Sequence, residues 1–298
     1  MDIWVWVTIA AAAVQTLRFV LQKRLKGLGL STGGATFSRF VFAAPIAGAA
    51  LVALMVARGD SLPALPAAFW LWAMAGGAAQ IIATFCTVAL FSERSFAVGI
   101  AFTKTEAILV AGFSALLLAE PVSLLGLVAI LTGTLGVLVL SRPAGGWTGQ
   151  GASHRALVLG LLAGGFFGLS AIGYRAATLE VDHPLALFRA LVALVTATAF
   201  QTLAMALWLR WREPGELARV MVRWRAVLPV GVTGVLGSAG WFIAFALQNA
   251  AYVRSLGQIE LIFSILASVV FFREKVRLVE VLGMALLAVS IIMIVALI

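Results

Sequence analysis

The chain is written in long apolar stretches separated by short polar ones. The apolar runs cover roughly residues 3–22, 32–57, 65–87, 94–117, 122–141, 155–178, 184–209, 226–247, 251–272 and 277–297. Each approaches or exceeds the ~20 residues that cross a hydrocarbon core about 30 Å thick. The breaks carry charge or turn signals: Lys23-Arg24-Leu25-Lys26-Gly27, Arg58-Gly59-Asp60, Ser92-Glu93-Arg94, Glu120-Pro121, Arg142-Pro143, Glu180 to Pro184, and Arg210 to Arg225. The cut near Gln248-Asn249, between the eighth and ninth runs, is the shallowest. Within a run the apolar residues are continuous and do not alternate with a period of two, so the pattern predicts membrane-spanning helices and not barrel strands.

Composition points the same way. Of 298 residues, 63% are hydrophobic and 11% charged, and the mean hydropathy is +1.10. A soluble domain could not hide that much apolar surface from water, whereas lipid is itself an apolar solvent. The first run begins at Asp2 without a basic leader or a clear cleavage site, so it reads as a span and not as a cleavable signal. Cys86 is the single cysteine and lies inside a run, which rules out a disulfide within the chain and argues against a cysteine-based metal site. It reads as a small helix-packing residue.

The formal net charge of +9 raises nucleic acid as a partner, but the positions of the cations argue against it. Lys23, Arg24, Lys26, Arg94, Arg142, Arg155, Arg210, Arg212, Arg219, Arg223, Arg225, Arg273, Lys275 and Arg277 lie in or near odd-numbered loops. Even-numbered loops hold little beyond Arg58 and Arg254, with Glu180 and Asp182 in the sixth. Positive-inside sorting explains this distribution and places odd loops in the cytoplasm and both termini in the periplasm, with the chain a multi-pass protein of the cell inner membrane.

The two halves of the chain echo each other. Glu106 lies mid-way along the fourth run and Glu260 mid-way along the ninth; fourteen residues after each stands another glutamate, Glu120 and Glu274, then Val122 and Val276 two positions on. Arg39 sits near the start of the second run in Thr36-Phe37-Ser38-Arg39-Phe40, and Arg189 near the start of the seventh in Ala186-Leu187-Phe188-Arg189-Ala190. Lys23 and Arg24 end the first run, and Arg175 lies near the end of the sixth. With five spans per half, the second copy enters the membrane upside down. The expected fold is therefore an all-α integral membrane protein of ten transmembrane helices, built as two inverted five-helix repeats over residues 1–145 and 146–298, an organisation typical of secondary transporters.

On these residues the chain resembles the EamA-type ten-helix exporters of the drug/metabolite transporter superfamily. The resemblance covers nearly the whole chain and rests on Arg39, Arg189 and the span endings Leu117-Leu118-Ala119-Glu120 and Phe271-Phe272-Arg273-Glu274. Each ending leads into a Gly-containing helix, with Gly126, Gly133 and Gly136 in one half and Gly283 in the other. Where that family often has proline after the mid-span position, this chain has Ala107 and Leu261. The resemblance implies a transporter with no cofactor, and its members commonly keep both termini in the cytoplasm, opposite to the charge count.

Among candidate site residues, Glu106 and Glu260 stand out. A carboxylate in hydrocarbon must face a cavity, pair with a cation or stay protonated. The pair is read as recognising a substrate cation or coupling protons; the structural alternative is a bond between helices, to Lys104, Arg39 or Arg189. Lys104 projects away from Glu106 around the helix and suits a substrate carboxylate or a carboxylate on another helix, with Gln258 as its counterpart in the second half. Gln80, Thr84 and Thr87 share one face of the third run, and Thr8, Gln15 and Gln22 one face of the first, either lining a polar cavity or bonding helix to helix. Trp241 lies well inside the eighth run and, with Phe245, suits an apolar pocket wall or simple packing. Trp4, Trp6, Trp70 and Trp72 fit the interfacial belt. Arg39 and Arg189 read as structural or gating residues able to snorkel. Gly160, Gly164 and Gly168, every fourth residue of the sixth run, and Gly231, Gly234, Gly237 and Gly240, every third of the eighth, allow close helix approach for packing or sliding.

His154 and His183 are isolated, so no histidine pair marks a metal site. No Walker-type loop accompanies the spans, which disfavours ATP-driven transport by this chain alone. The leading reading is a secondary transporter, an exporter of small amphipathic metabolites such as amino acids, working by alternating access around a midplane cavity. The substrate is expected to be a small molecule, zwitterionic because acidic and basic groups stand apart, with proton coupling through the glutamates. A membrane-embedded enzyme acting on a lipid or prenyl substrate is the alternative, and it lacks the Asp-rich motif such chemistry uses. A structural subunit would predict no substrate binding at all.

Overall fold

The computed structural model describes residues 2–90, 103–140, 154–263 and 278–297. Among them every regular element is helical: α1 Ile3–Gly27, α2 Thr32–Phe37, α3 Ala43–Arg58, α4 Ala67–Leu90, α5 Glu106–Leu118, α6 Leu124–Leu140, α7 His154–Leu179, α8 Ala186–Arg212, α9 Glu216–Val222, α10 Trp224–Leu247, α11 Ala250–Leu256, a 3₁₀ turn Gly257–Ile259, and α12 Leu278–Leu297. Six of these, α1, α4, α7, α8, α10 and α12, are long and apolar enough to cross a membrane, and α3, α5 and α6 are shorter apolar helices. The breaks at Ser92-Glu93-Arg94 and Arg142-Pro143, the ending Phe271-Phe272-Arg273-Glu274 and the cations Lys275 and Arg277 lie outside the described residues.

Two runs read as single spans are broken. The second, 32–57, divides into α2 and α3 around residues 38–42. Pro45 stands in the first turn of α3; it has no N–H to give Val41 and its ring collides with that carbonyl, so a helix can start here but cannot run through. Ser31 caps α2 by accepting from Gly34 N at 2.9 Å. The ninth run opens as the short helix α11 and tightens into the 3₁₀ turn, where the Trp241 ring leaves no room for a Cβ at Gly257. The shallow cut before it is real: Asn249 caps α11 by accepting from Ala251 N at 2.8 Å, which ends α10 and redirects the chain.

The helices pack as α4 on α7, α1 on α10, α6 on α12 and α3 on α8. Small residues set the first two contacts. A side chain on Gly173 of α7 would lie 2.8 Å from Gly76 Cα of α4, and one on Gly240 of α10 would lie 2.8 Å from Ala11 Cβ of α1. A buried core of Phe69, Ile172, Tyr174, Phe188, Leu194 and Phe242 fills the centre. Large apolar side chains such as Leu116, Leu124, Leu207 and Ile292 point outward, as lipid requires and water would not allow.

Candidate functional site

Among the described residues, a cluster of buried charges forms where helices break. Lys104 and Glu106 stand at the start of α5, with Glu106 in its first turn, where the helix dipole favours an anion. Arg254 comes from α11, Gln258 from the 3₁₀ turn, and Glu260 immediately after it. Gln15 of α1 and Trp241 of α10 close the ring around a narrow cavity.

The charges pair across helices. Arg254 grips Glu106 with two nitrogens: Nε lies against Oε1, and Nη2 donates to Oε2 at 2.6 Å. Lys104 pairs with Glu260. All four side chains are largely buried, between 8% and 14% exposed, so each carboxylate is faced by a cation in a low-dielectric setting. Gln15 ties this network to the aromatic wall: its Nε2 donates to Glu260 Oε2 at 2.8 Å, and its Oε1 accepts from Trp241 Nε1 at 3.0 Å. The Arg254 guanidinium lies over the Trp241 ring, 4.6 Å from its centroid. Trp241 and Phe245 stack with centroids 6.2 Å apart.

A second narrow cleft shares Gln15, Trp241 and Arg254 and extends past Ser170, Tyr174, Ser238, Phe242 and Phe245 to Gln80. Here Gln80 Oε1 accepts from Tyr174 Oη at 3.0 Å and from Gln201 Nε2 at 2.9 Å. Thr84 accepts from Arg39 Nη1 at 2.9 Å. Gln258 is buried, and neither its amide nitrogen nor its amide oxygen has a hydrogen-bond partner among the described residues. Thr8 bonds the backbone of its own helix at Trp4 O, 2.7 Å, and Gln22 donates to Ala35 O at 3.0 Å. Arg189 donates to Ala246 O at 3.1 Å. Gly160, Gly164 and Gly168 are buried in α7, and Gly168 faces Phe113. Among the described residues no three His, Cys, Asp or Glu side chains gather as a metal ion would need.

The structure thus brings Gln15, Lys104, Glu106, Trp241, Gln258 and Glu260 to one cavity and places Gln80 and Thr84 beside it. It also corrects a reading. Arg254, assigned to a loop, is an interior residue and the partner of Glu106. The early capping of α11 at Asn249 carries it inside, and its place six residues before Glu260 was the available signal. Tyr174 and Gln201, polar residues buried within apolar runs, were also missed.

Residues 154–296 match the model of the EamA-like transporter family. The second half of the chain is thus similar to that family. That family belongs to the drug/metabolite transporter superfamily, whose members are membrane transporters, and the match points to a membrane transporter here. A solved crystal structure of a protein superposes on this chain with a TM-score of 0.69, covering 99% of this chain and 95% of the other, at 17% identity; the likeness is one of fold. No curated protein matches the chain significantly.

Proposed function

We propose that this transporter is a secondary exporter of small zwitterionic metabolites, amino acids among them, working by alternating access around the Glu106–Arg254 and Lys104–Glu260 cluster. The observation that carries the reading is the pairing itself. Two buried cations and two buried carboxylates meet at one cavity beside an indole ring. A zwitterion exchanges partners there without stranding charge: its carboxylate replaces a glutamate on Arg254 or Lys104, and its ammonium takes the glutamate released. Protonation of a released glutamate would couple the cycle to protons.

Two halves, 1–145 and 146–298, related by inversion are part of the proposal. In support, α4 packs on α7 much as α10 packs on α1, exchanging third and sixth spans for eighth and first, and the family match falls within the second half. The orientation with both termini periplasmic, in the inner membrane, follows the loop charges, and moving Arg254 inside the bundle strengthens the asymmetry. A C-terminal reporter that works only in the cytoplasm is expected to be silent.

The test is flux into liposomes containing only this protein, for the wild type, Glu106→Gln and Glu260→Gln, with melting measured beside it. Saturable flux of a zwitterion, lost about tenfold or more in both variants, is the expected result. Wild-type flux in both would remove the glutamates from the mechanism. Since Gln at 106 leaves Arg254 without its carboxylate, Glu106→Gln/Arg254→Gln serves as the stability control: it should regain melting temperature but not transport.

A further inference from the structure

Two more arginines are buried in this bundle, and they are partnered differently. Lys104, Arg175 and Arg254 each face a carboxylate. Arg18 of α1 and Arg39, in the break between α2 and α3, do not, among the described residues. Arg18 is 2% exposed and Arg39 3%. Arg18 Nη1 donates to Gln22 Oε1 and Arg39 Nη1 to Thr84, with Ser238 Oγ 3.5 Å from Arg39 Nη2; all three acceptors are uncharged. Arg18 Nη2 and Arg39 Nε have no acceptor among the described residues. The two side chains run together over Gly234 of α10, where an added Cβ would sit 3.3 Å from Arg39 Cγ and 3.8 Å from Arg18 Cδ. Two guanidinium groups held close, out of water and without an anion, are expensive unless something negative joins them for part of the protein's cycle.

We propose that Arg18 and Arg39 form a site for a single oxyanion, a carboxylate or phosphate group. The guanidinium fork fits that chemistry, with two parallel N–H donors per oxyanion edge. Gln22, Thr84 and Ser238 supply further polar atoms around it. The site lies one helical turn beyond the central cavity, because Arg18 follows Gln15 by three residues on α1 and Ser238 precedes Trp241 by three on α10. It is therefore placed to receive an anionic group on the way to or from Arg254 and Lys104. The proposal rests on the alternating-access reading for how the anion enters a pair that is closed off here.

The test separates binding from transport. Purified protein in neutral detergent is titrated with sodium phosphate or acetate against chloride at constant ionic strength. In parallel, nanodiscs of phosphatidylcholine are compared with nanodiscs containing phosphatidylglycerol. A saturable rise in melting temperature of about 3–6 °C at a hundredfold excess over Kd is expected. Arg18→Gln and Arg39→Gln should weaken the affinity about tenfold or more, while Arg58→Gln, on the exposed rim, should not. A response to the soluble anions identifies a solute as the source, and a response only to phosphatidylglycerol identifies a lipid headgroup. Should either arginine variant fold poorly, wild-type protein treated with phenylglyoxal and mapped by mass spectrometry should show Arg18 and Arg39 protected by the same anion. No response from either source and no protection overturns the site, as does undiminished binding in folded variants. Binding without any flux counts against the transport reading alone and leaves the oxyanion site standing.

Discussion

Two regions of this bundle each carry a pair of arginines, and the pairs are partnered differently. At the end where α7 finishes, Arg175 is fully engaged: Nη2 donates to Glu120 Oε1 at 2.8 Å, Nε to Glu120 Oε2 at 3.3 Å, and Nη1 to Phe245 O at 2.6 Å. Arg189 beside it donates to Ala246 O. Phe245 and Ala246 end α10, so both cations also sit on the negative pole of that helix. In the other region Arg18 and Arg39 find hydroxyls and an amide and no carboxylate among the described residues, where Arg18 Nη2 and Arg39 Nε, like Arg189 Nε, have no hydrogen-bond partner. The residue type is the same in both regions; burial and partners differ, and a facing carboxylate makes Arg175 a rivet between helices.

That contrast makes its sharpest prediction at Glu120. Glu120→Gln removes the charge that Arg175 needs but keeps the size of the side chain. Because Glu120 is 25% exposed and Arg175 12%, water recovers part of the loss, and the expected destabilisation is about 2–4 kcal/mol, below that of a wholly buried pair. Arg18→Gln should be neutral or stabilising, within about 1 kcal/mol, because it removes a charge with no carboxylate to strand. Melting of the two purified variants in one detergent checks the pair. Equal losses would erase the distinction between the two regions.

A smaller effect is expected where α7 meets α4, two residues before Arg175. Gly173→Ala puts a methyl within 2.9 Å of Gly76 N and Trp72 O, backbone atoms that no rotamer change can move aside. The helices must separate, at about 1–3 kcal/mol, and Arg175 should shift with α7. Combined with Glu120→Gln the loss should be less than additive, since the displaced Arg175 has already loosened its grip. Strict additivity in melting would mean that the close approach and the arginine rivet are independent.

The order of elements was legible because lipid writes a long-range apolar pattern into sequence: all six long apolar helices fall on apolar runs, and the break at Gln248-Asn249 was visible even though shallow. The division of the second run was not foreseen, although Pro45 was there to announce it. Glu106, Glu260, Lys104, Gln15 and Trp241 stood out as polar or aromatic residues in apolar company, and they share one cavity. Their pairing was not legible. Glu106 meets Arg254, from 148 residues away, and such a partner is set by how helices dock and not by any spacing along the chain. Arg18 was overlooked in the first run for the opposite reason: a lone cation near a span end looks ready to snorkel, and only packing against α10 shows that it is buried.

The smallest effect belongs to the other arginine–carboxylate bridge, Arg58–Asp60, which lies on the same side of the bundle as Arg175–Glu120 and has nearly ideal geometry at 2.8 Å. Distance alone would rank the two bridges as equals. Arg58 is 47% exposed, however, and it bridges to a residue only two positions on, so it joins no separate helices. Water screens the attraction, and holding a long side chain in place costs entropy that offsets most of what remains. The turn does not depend on it: Gly59, at φ 71°, ends α3 with its N–H on Met55 O whatever stands at position 58. Arg58→Gln is also cleaner than removing Asp60, which lies 3.4 Å from His183 Nε2 and so touches the loop before α8. The expected loss is about 0.5 kcal/mol or less, a change in melting temperature near the limit of measurement that shrinks further as salt is added. A loss approaching that of Glu120→Gln would show that bond length, and not burial, sets the strength of the bridges in this protein, and the contrast between its two arginine pairs would lose its physical basis.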